Sequence, residues 1–196
     1  MSCSPYSSAI TSSSGRRKRT NDSPNPIIGE PEAGLVRIAE YDRAWPRRFA
    51  IERDRIRAAL GGTAMRVEHI GSTAVPGLAA KPIVDVLVAV EAVEDEARYL
   101  PQLEAVGYVL RVREPGHRMF RTVAKDVHVH LWDSSAQIDR HLRFRDRLVR
   151  DESDRRLYEE TKRELAKRAW PDREAYASAK DDVIAAIMRR ATDEDR

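Results

Sequence analysis

The stretch VEHIGSTAVPGLAAKPIVDVLVAV, residues Val67–Val90, decides the fold of this chain. Its apolar ends, Met65–Ile70 and Ile83–Val90, are rich in β-branched residues and predict two buried strands. The Gly-Ser-Thr sequence at residues 71–73 predicts a turn whose N–H groups point toward an anion. Asp85 interrupts the second apolar run, where a carboxylate needs a cation, a metal or hydrogen-bond donors beside it. The stretch therefore predicts a site for a phosphate group and its metal.

Five residues around this turn are candidate ligands for the phosphate. The candidates are His69, Gly71, Ser72, Thr73 and Lys81. The hydroxyl residues can instead cap a short helix, which needs no ligand. The lysine can instead be an ordinary exposed side chain, and the histidine a hydrogen-bonded strand residue. The sequence is not a Walker A loop, because no Gly-Lys-Ser/Thr follows at the required spacing.

Asp85 has two candidate partners on the last predicted strand, Val127–Trp132. His128 and His130 are two residues apart, so both project from the same face of a strand. If that strand neighbours the strand of Asp85, the three side chains converge, and they could hold a divalent ion or transfer a proton. The alternatives are a pair of hydrogen-bonded histidines and an aspartate paired with an arginine.

Arginines on the first predicted C-terminal helix are candidates for neutralising phosphate charge. We select Arg140 and Arg145 because the guanidinium fork matches the oxygens of a phosphate group. The alternative is a solvated helix on which the arginines pair with neighbouring carboxylates.

Composition restricts the class of protein. The chain has 196 residues, of which 41% are apolar and 34% charged, with a net charge of +3. This composition is typical of a globular protein, and the charge calls for neither a nucleic acid nor a membrane as partner. A single cysteine, Cys3, excludes a disulfide framework, and no apolar run is long enough to span a bilayer. We expect a cytoplasmic protein.

The chain divides into a predicted disordered tail, residues 1–33, and a single domain, residues 34–196. The tail is rich in Ser, Thr, Pro and Asn and contains the basic cluster RRKR at residues 16–19. The domain begins with a short strand and a helix capped by Asp42, continues through the two central strands, a helix, a hairpin and a further strand, and ends in helices. This order predicts an α+β fold, a mixed sheet with helices packed on it.

Four segments together resemble the GrpB family, also called UPF0157. They are HIGSTAVPGLAAKPIVDVLV (residues 69–88), YDRAWPRRF (41–49), HVHLWD (128–133) and RHLRFRD (140–146). The resemblance runs from about Val36 to the C-terminal helices. It implies a fold like that of the nucleotidyltransferase superfamily, with a small mixed sheet flanked by helices. A similar domain forms the C-terminal half of some bacterial dephospho-CoA kinases, where it is thought to support folding.

The resemblance also implies a degenerate metal site. Nucleotidyltransferases carry Gly-Ser, then Asp-x-Asp on the next strand and a third carboxylate nearby, which hold magnesium against nucleotide phosphates. Residues 71–72 match the Gly-Ser, and Asp85 matches one aspartate. The alternate positions, Ile83 and Leu87, are apolar, and residues 127–131 contain histidines instead of a carboxylate. The expected cofactor is Mg²⁺ or Mn²⁺.

Two functions follow as hypotheses. The first is a divergent nucleotidyltransferase-like protein that handles a nucleotide or another phosphorylated small molecule, with Asp85, His128 and His130 as catalytic and metal-binding residues. The second is a non-catalytic module that binds a nucleotide or a protein partner, as the kinase-fused relatives suggest.

Overall fold

The computed structural model describes residues 26–29 and 34–194. The elements in chain order are β1 Gly34–Leu35, α1 Ala44–Leu60, β2 Arg66–Ile70, β3 Val84–Ala89, α2 Leu100–Ala105, β4 Tyr108–Glu114, β5 His117–Thr122, β6 Val127–Trp132, α3 Ser135–Arg150, α4 Glu152–Ala166, β7 Ala169–Trp170, α5 Arg173–Ser178 and α6 Asp181–Glu194. They form an α+β fold, as the sequence predicts.

The main sheet has five strands in the order β2-β3-β6-β5-β4. Only the β3–β6 pair is parallel, and the other three pairs are antiparallel. Antiparallel neighbours in a sheet can be joined by short turns, which explains the turn after β2 and the hairpin at Pro115-Gly116. The parallel pair places β6 beside the strand of Asp85.

Each face of the sheet is covered by helices. On one face, Val86, Val88 and Val129 pack against side chains of α1 and α2 such as Ile56 and Leu103. On the other face, α3 packs against Leu87 and Ala89. Because side chains alternate along a strand, Asp85 lies on the α3 side together with Leu87.

The turn and helix signals in the sequence are largely visible in the structure. The Asp42 carboxylate accepts a hydrogen bond from the Ala44 amide at 2.8 Å at the start of α1. Pro101 lies in the first turn of α2, so this helix begins later than the apolar pattern alone indicates. None of the helices within the described ranges is both long and apolar enough to cross a membrane.

Part of the predicted tail runs along the edge of β4. The Ile28 amide donates to the Arg111 carbonyl at 2.8 Å, and the Arg113 amide donates to the Pro26 carbonyl at 2.9 Å. Residues 26–29 therefore pair with the outermost strand. The rest of the predicted tail, residues 1–25 and 30–33, lies outside the described residues.

A buried ion triad joins the three long C-terminal helices. Asp154 on α4 is 4% exposed and accepts hydrogen bonds from Arg147 Nε on α3 at 2.7 Å and from Arg190 Nε on α6 at 2.9 Å. Burial alone would raise the pKa of Asp154, but the two guanidinium groups outweigh it and lower this pKa. The triad holds the carboxylate charged where the helices meet.

Replacing Asp154 with alanine is expected to lower the free energy of unfolding by about 3 kcal/mol, because it leaves the buried Arg147 guanidinium with Asp151 as its remaining carboxylate partner and removes the contact with Arg190. Urea denaturation measures this change. The control is Asp146→Ala, which removes a half-exposed carboxylate from the ion pair with Arg145 and should cost about 1 kcal/mol or less. Equal losses of unfolding free energy in the two variants would show that the buried ion triad of Asp154 contributes no more than a surface ion pair.

Candidate functional site

The register of β3 against β6 brings three polar side chains together. Asp85 pairs with His128, and Leu87 pairs with His130. The carboxylate Oδ1 of Asp85 lies 3.4 Å from Nδ1 of His128 and 3.6 Å from Nε2 of His130. The structure therefore places the three residues grouped in the sequence analysis on one face of the sheet. We call them the Asp-His-His triad.

The triad is accessible and its carboxylate is ionised. The Asp85 side chain retains 28% of its exposure, and the two histidines retain 18% and 22%. Burial alone would raise the pKa of Asp85, but the two neighbouring histidines hold it well below its ordinary value. A charged oxygen ligand thus lies beside two imidazole nitrogens.

The spacing of the triad suits a metal ion. One nitrogen or oxygen from each residue lies within 4.8 Å of the other two. Ligand atoms at roughly 2.1 Å from a tetrahedral ion are about 3.4 Å apart, close to the two distances from Asp85 Oδ1. These atoms can converge on one ion with small side-chain movements.

A chain of hydrogen bonds links His130 of the triad to two residues of the β4–β5 hairpin. Nδ1 of His130 lies 3.1 Å from Nε2 of His117, and Nδ1 of His117 lies 2.9 Å from a carboxylate oxygen of Glu114. The His117 ring also stacks on Trp132 with centroids 4.1 Å apart. Burial lowers the pKa of His117 to about 4. The neutral ring can therefore accept from one neighbour and donate to the other, which fixes the tautomer and orientation of His130.

Sequence reasoning missed His117 and Glu114. Both lie at the hairpin between β4 and β5, and their place beside the triad depends on the pairing of His117 with Trp132. The available signal was the alternation of side chains along a strand. If β5 and β6 pair in this register, His117, Met119 and His130 lie on one face of the sheet. The register itself could not be derived from the residues.

The backbone at Gly71 packs closely against Asp85. Its φ is +70°, a conformation that favours glycine. A Cβ atom added there would lie 3.1 Å from Cγ of Asp85 and closer still to Oδ2. The turn after β2 therefore packs its backbone directly against the carboxylate. Next to it, the Ser72 hydroxyl accepts a hydrogen bond from Nζ of Lys162 at 3.0 Å.

The structure does not bring His69 and Thr73 to the triad. His69 faces α1, where its ring stacks on Phe49 with centroids 4.7 Å apart. Its Nε2 lies 3.0 Å from the Thr73 hydroxyl, which in turn donates to the Ile83 carbonyl at 3.2 Å. Burial lowers the pKa of His69 to about 4, so the ring is neutral. This arrangement ties the turn to β3 on the opposite face of the sheet.

Arg140, Arg145 and Lys81 occupy three different surroundings. Arg145 is engaged by Glu68 and by the His69 carbonyl, both at 3.0 Å from Nη1. Arg140 is exposed on α3. Lys81 lies with Nζ 5.5 Å from the ring centroid of Tyr176. Arg145 and Lys81 therefore already make contacts within the protein.

Comparison with known proteins identifies the family. The family model described as GrpB protein matches residues 35–190. A UPF0157 protein of Streptomyces coelicolor is 51% identical over 93% of this chain and 97% of its own length. A UPF0157 protein of Halalkalibacterium halodurans is 44% identical over 91% of this chain and 95% of its own length.

Two further comparisons concern structure and a larger protein. The crystal structure of conserved protein GrpB from Enterococcus faecalis matches with a TM-score of 0.70 and 33% identity, covering 81% of this chain and 98% of that one. A dephospho-CoA kinase of Mycolicibacterium paratuberculosis is 30% identical over 81% of this chain but only 46% of the kinase. On the match of the family model and these relatives, the chain belongs to the GrpB family, UPF0157.

Proposed function

We propose that this protein binds a nucleotide or another phosphorylated small molecule together with a divalent metal ion, as a divergent nucleotidyltransferase-like protein. The observation that carries the proposal is the convergence of Asp85, His128 and His130 beside the Gly71-Ser72 turn. A carboxylate and two imidazoles that are partly exposed, next to a turn of the kind that holds anions, suit a metal-bound phosphate better than they suit a packed core.

The donor set favours one kind of metal over another. Mg²⁺ prefers a shell of oxygen ligands, whereas two imidazoles with one carboxylate suit first-row transition ions. Asp85 Oδ1, His128 Nδ1 and His130 Nε2 would hold the ion. Of the two expected cofactors, Mn²⁺ fits these residues better than Mg²⁺. A bound ion would neutralise charge on a phosphoryl oxygen.

Calorimetric titration with ATP tests the proposal. We expect binding in Mn²⁺ that weakens at least about tenfold when EDTA replaces the metal or when Asp85 is changed to asparagine, since either change removes the charge that bridges protein and phosphate. Asp139→Asn, an exposed carboxylate on α3, is the matched control and should bind like wild type. Failure of wild type to bind ATP or any other nucleoside triphosphate, or equal affinity in Asp85→Asn, would contradict the proposal.

The hydrogen-bond chain behind the triad yields a separate prediction. His117→Ala is expected to weaken Mn²⁺ binding about 10–100-fold, because it frees the His130 ring to rotate and removes the partner of its second nitrogen. His117→Gln, which can retain a hydrogen bond to Nδ1 of His130, should recover part of the loss. Calorimetry with the metal alone measures both. Unchanged affinity in His117→Ala would show that His130 is oriented without this contact.

Two findings favour the non-catalytic alternative, a binding or folding-support module. The chain matches less than half of a dephospho-CoA kinase, so a domain of this kind also forms part of a larger enzyme. In addition, Leu87, at an alternate position where nucleotidyltransferases carry an aspartate, is fully buried against α3. A catalytic turnover that Asp85→Ala abolishes would rule this alternative out.

A further inference from the structure

Three lysines and two tyrosines gather beside the Gly71-Ser72 turn. Lys162, from α4, is 3% exposed, yet its ammonium group reaches the Ser72 hydroxyl and the Ala79 carbonyl. Nζ of Lys162 also lies 4.8 Å from the ring centroid of Tyr158. A lysine is rarely buried this deeply without a counter-ion, since desolvating its charge is unfavourable.

The second part of the cluster surrounds Tyr176 on α5. Lys180 and Lys81 lie with Nζ 4.7 Å and 5.5 Å from the ring centroid of this tyrosine. Tyr176 is 1% exposed, and its hydroxyl has no hydrogen-bond partner among the described residues. A buried hydroxyl without a partner is unfavourable, and it indicates a missing acceptor.

Among the carboxylates whose side chains the structure describes, none forms an ion pair with Lys162 or Lys180. Burial, together with the charge of Lys180, lowers the pKa of Lys162 to about 7, although Glu159 acts in the opposite direction. Burial and the charge of Lys81 lower the pKa of Lys180 to about 8, although Asp85 and Asp181 act in the opposite direction. The lysines therefore repel one another, and a bound anion would relieve both the repulsion and the desolvation.

We propose that Lys162, Lys180 and Lys81, with the hydroxyls of Ser72 and Tyr176, form a binding subsite for a phosphate dianion next to the Asp-His-His triad. Ammonium groups bind phosphate as point charges, and the Tyr176 hydroxyl can donate a hydrogen bond to a phosphate oxygen. Ser72, which Lys162 contacts, follows Gly71, whose backbone packs against the Asp85 carboxylate, so the two sites are neighbours. The inference deepens the proposed function and rests on it for the identity of the whole ligand.

The subsite is tested with inorganic pyrophosphate in a buffer containing EDTA, so that no metal contributes. Calorimetry should show binding by wild type and a loss of roughly tenfold or more in Lys180→Met, because a charged hydrogen-bond or ion-pair partner is removed. Lys167→Met is the control, since this exposed lysine directly after α4 pairs with Glu164 at the surface. It should bind pyrophosphate like wild type.

Tyr176→Phe separates a ligand-binding role from a structural one. The change deletes a hydroxyl that has no hydrogen-bond partner in the described part of the chain, so the free energy of unfolding should stay the same or rise. Pyrophosphate affinity should nevertheless fall roughly tenfold, as expected for a hydrogen bond to a charged group. Wild-type affinity in both Tyr176→Phe and Lys180→Met, or no binding by wild type, would overturn the inference.

The outcome is distinguishable from failure of the proposed function. Lys180-dependent pyrophosphate binding in a protein that binds no Mn²⁺ would uphold the subsite and overturn the metal-dependent function. Mn²⁺ binding that needs Asp85, without pyrophosphate binding in EDTA, would overturn the subsite and leave the metal site standing.

Discussion

Asp85→Ala is expected to weaken binding of Mn²⁺ roughly 100-fold or more. Substituting a residue that only hydrogen-bonds to a metal ligand already weakens metal binding by about 10–100-fold, and Asp85 would be a ligand itself. Asp85 contributes the only carboxylate of the triad, and its charge would hold the ion beside the two imidazole nitrogens. Electron paramagnetic resonance of free Mn²⁺, titrated with protein, measures the affinity without any nucleotide. His130→Ala, which removes a nitrogen ligand instead, should give a loss of similar size.

The control for this experiment is Asp126→Asn. Asp126 precedes β6, and its carboxylate accepts the Thr122 hydroxyl at 2.6 Å, away from the three triad atoms. The affinity of the Asp126→Asn variant for Mn²⁺ should match that of wild type. If Asp85→Ala and Asp126→Asn both retained wild-type affinity, the bound metal would lie elsewhere on the protein.

Gly71→Ala is expected to lower the free energy of unfolding by about 2–4 kcal/mol. An alanine at φ +70° and ψ −173°, a backbone region essentially restricted to glycine, costs about 1–3 kcal/mol from strain alone. The remainder comes from the added methyl group, which would displace the Asp85 carboxylate from its place against the turn. Urea denaturation measures the change, and the same variant should lose Mn²⁺ affinity because the carboxylate is moved.

Gly77→Ala is a matched control, because it separates strain from contact. Gly77 also has a positive φ, +79°, but a Cβ added there meets nothing within 4 Å. It should cost only about 1–2 kcal/mol and leave metal binding intact. The clash between the added methyl group and the carboxylate should disappear in the double variant Gly71→Ala/Asp85→Ala. The double variant should therefore be more stable than the sum of the two single losses predicts, by a coupling energy of roughly 1–2 kcal/mol. Additive losses would show that Gly71 is required for its backbone conformation alone.

The local signals in the sequence predicted the central elements well. The β-branched runs on either side of the Gly-Ser turn became β2 and β3, and the Glu114-Pro115-Gly116 signal became the hairpin between β4 and β5. Strand parity placed His128 and His130 on one face. These features depend on neighbouring residues, and elementary backbone geometry suffices to derive them.

Long-range features of the candidate site could not be predicted in this way. The parallel pairing of β3 with β6, which sets His128 beside Asp85, was a condition of the hypothesis rather than a result. Lys162 reaches Ser72 because α4, which carries it, packs with α3 and α6 around Leu148, Tyr158 and Ile187. Arg145 matched a phosphate ligand by residue type, yet tertiary packing gave it Glu68 as a partner.

The most direct measurement is an anomalous-difference map from crystals grown with MnCl₂. The account predicts a peak bounded by Asp85 Oδ1, His128 Nδ1 and His130 Nε2, which vanishes in crystals of Asp85→Ala. No peak at these three atoms in wild type under saturating Mn²⁺, or a peak that persists there without the aspartate, would contradict it.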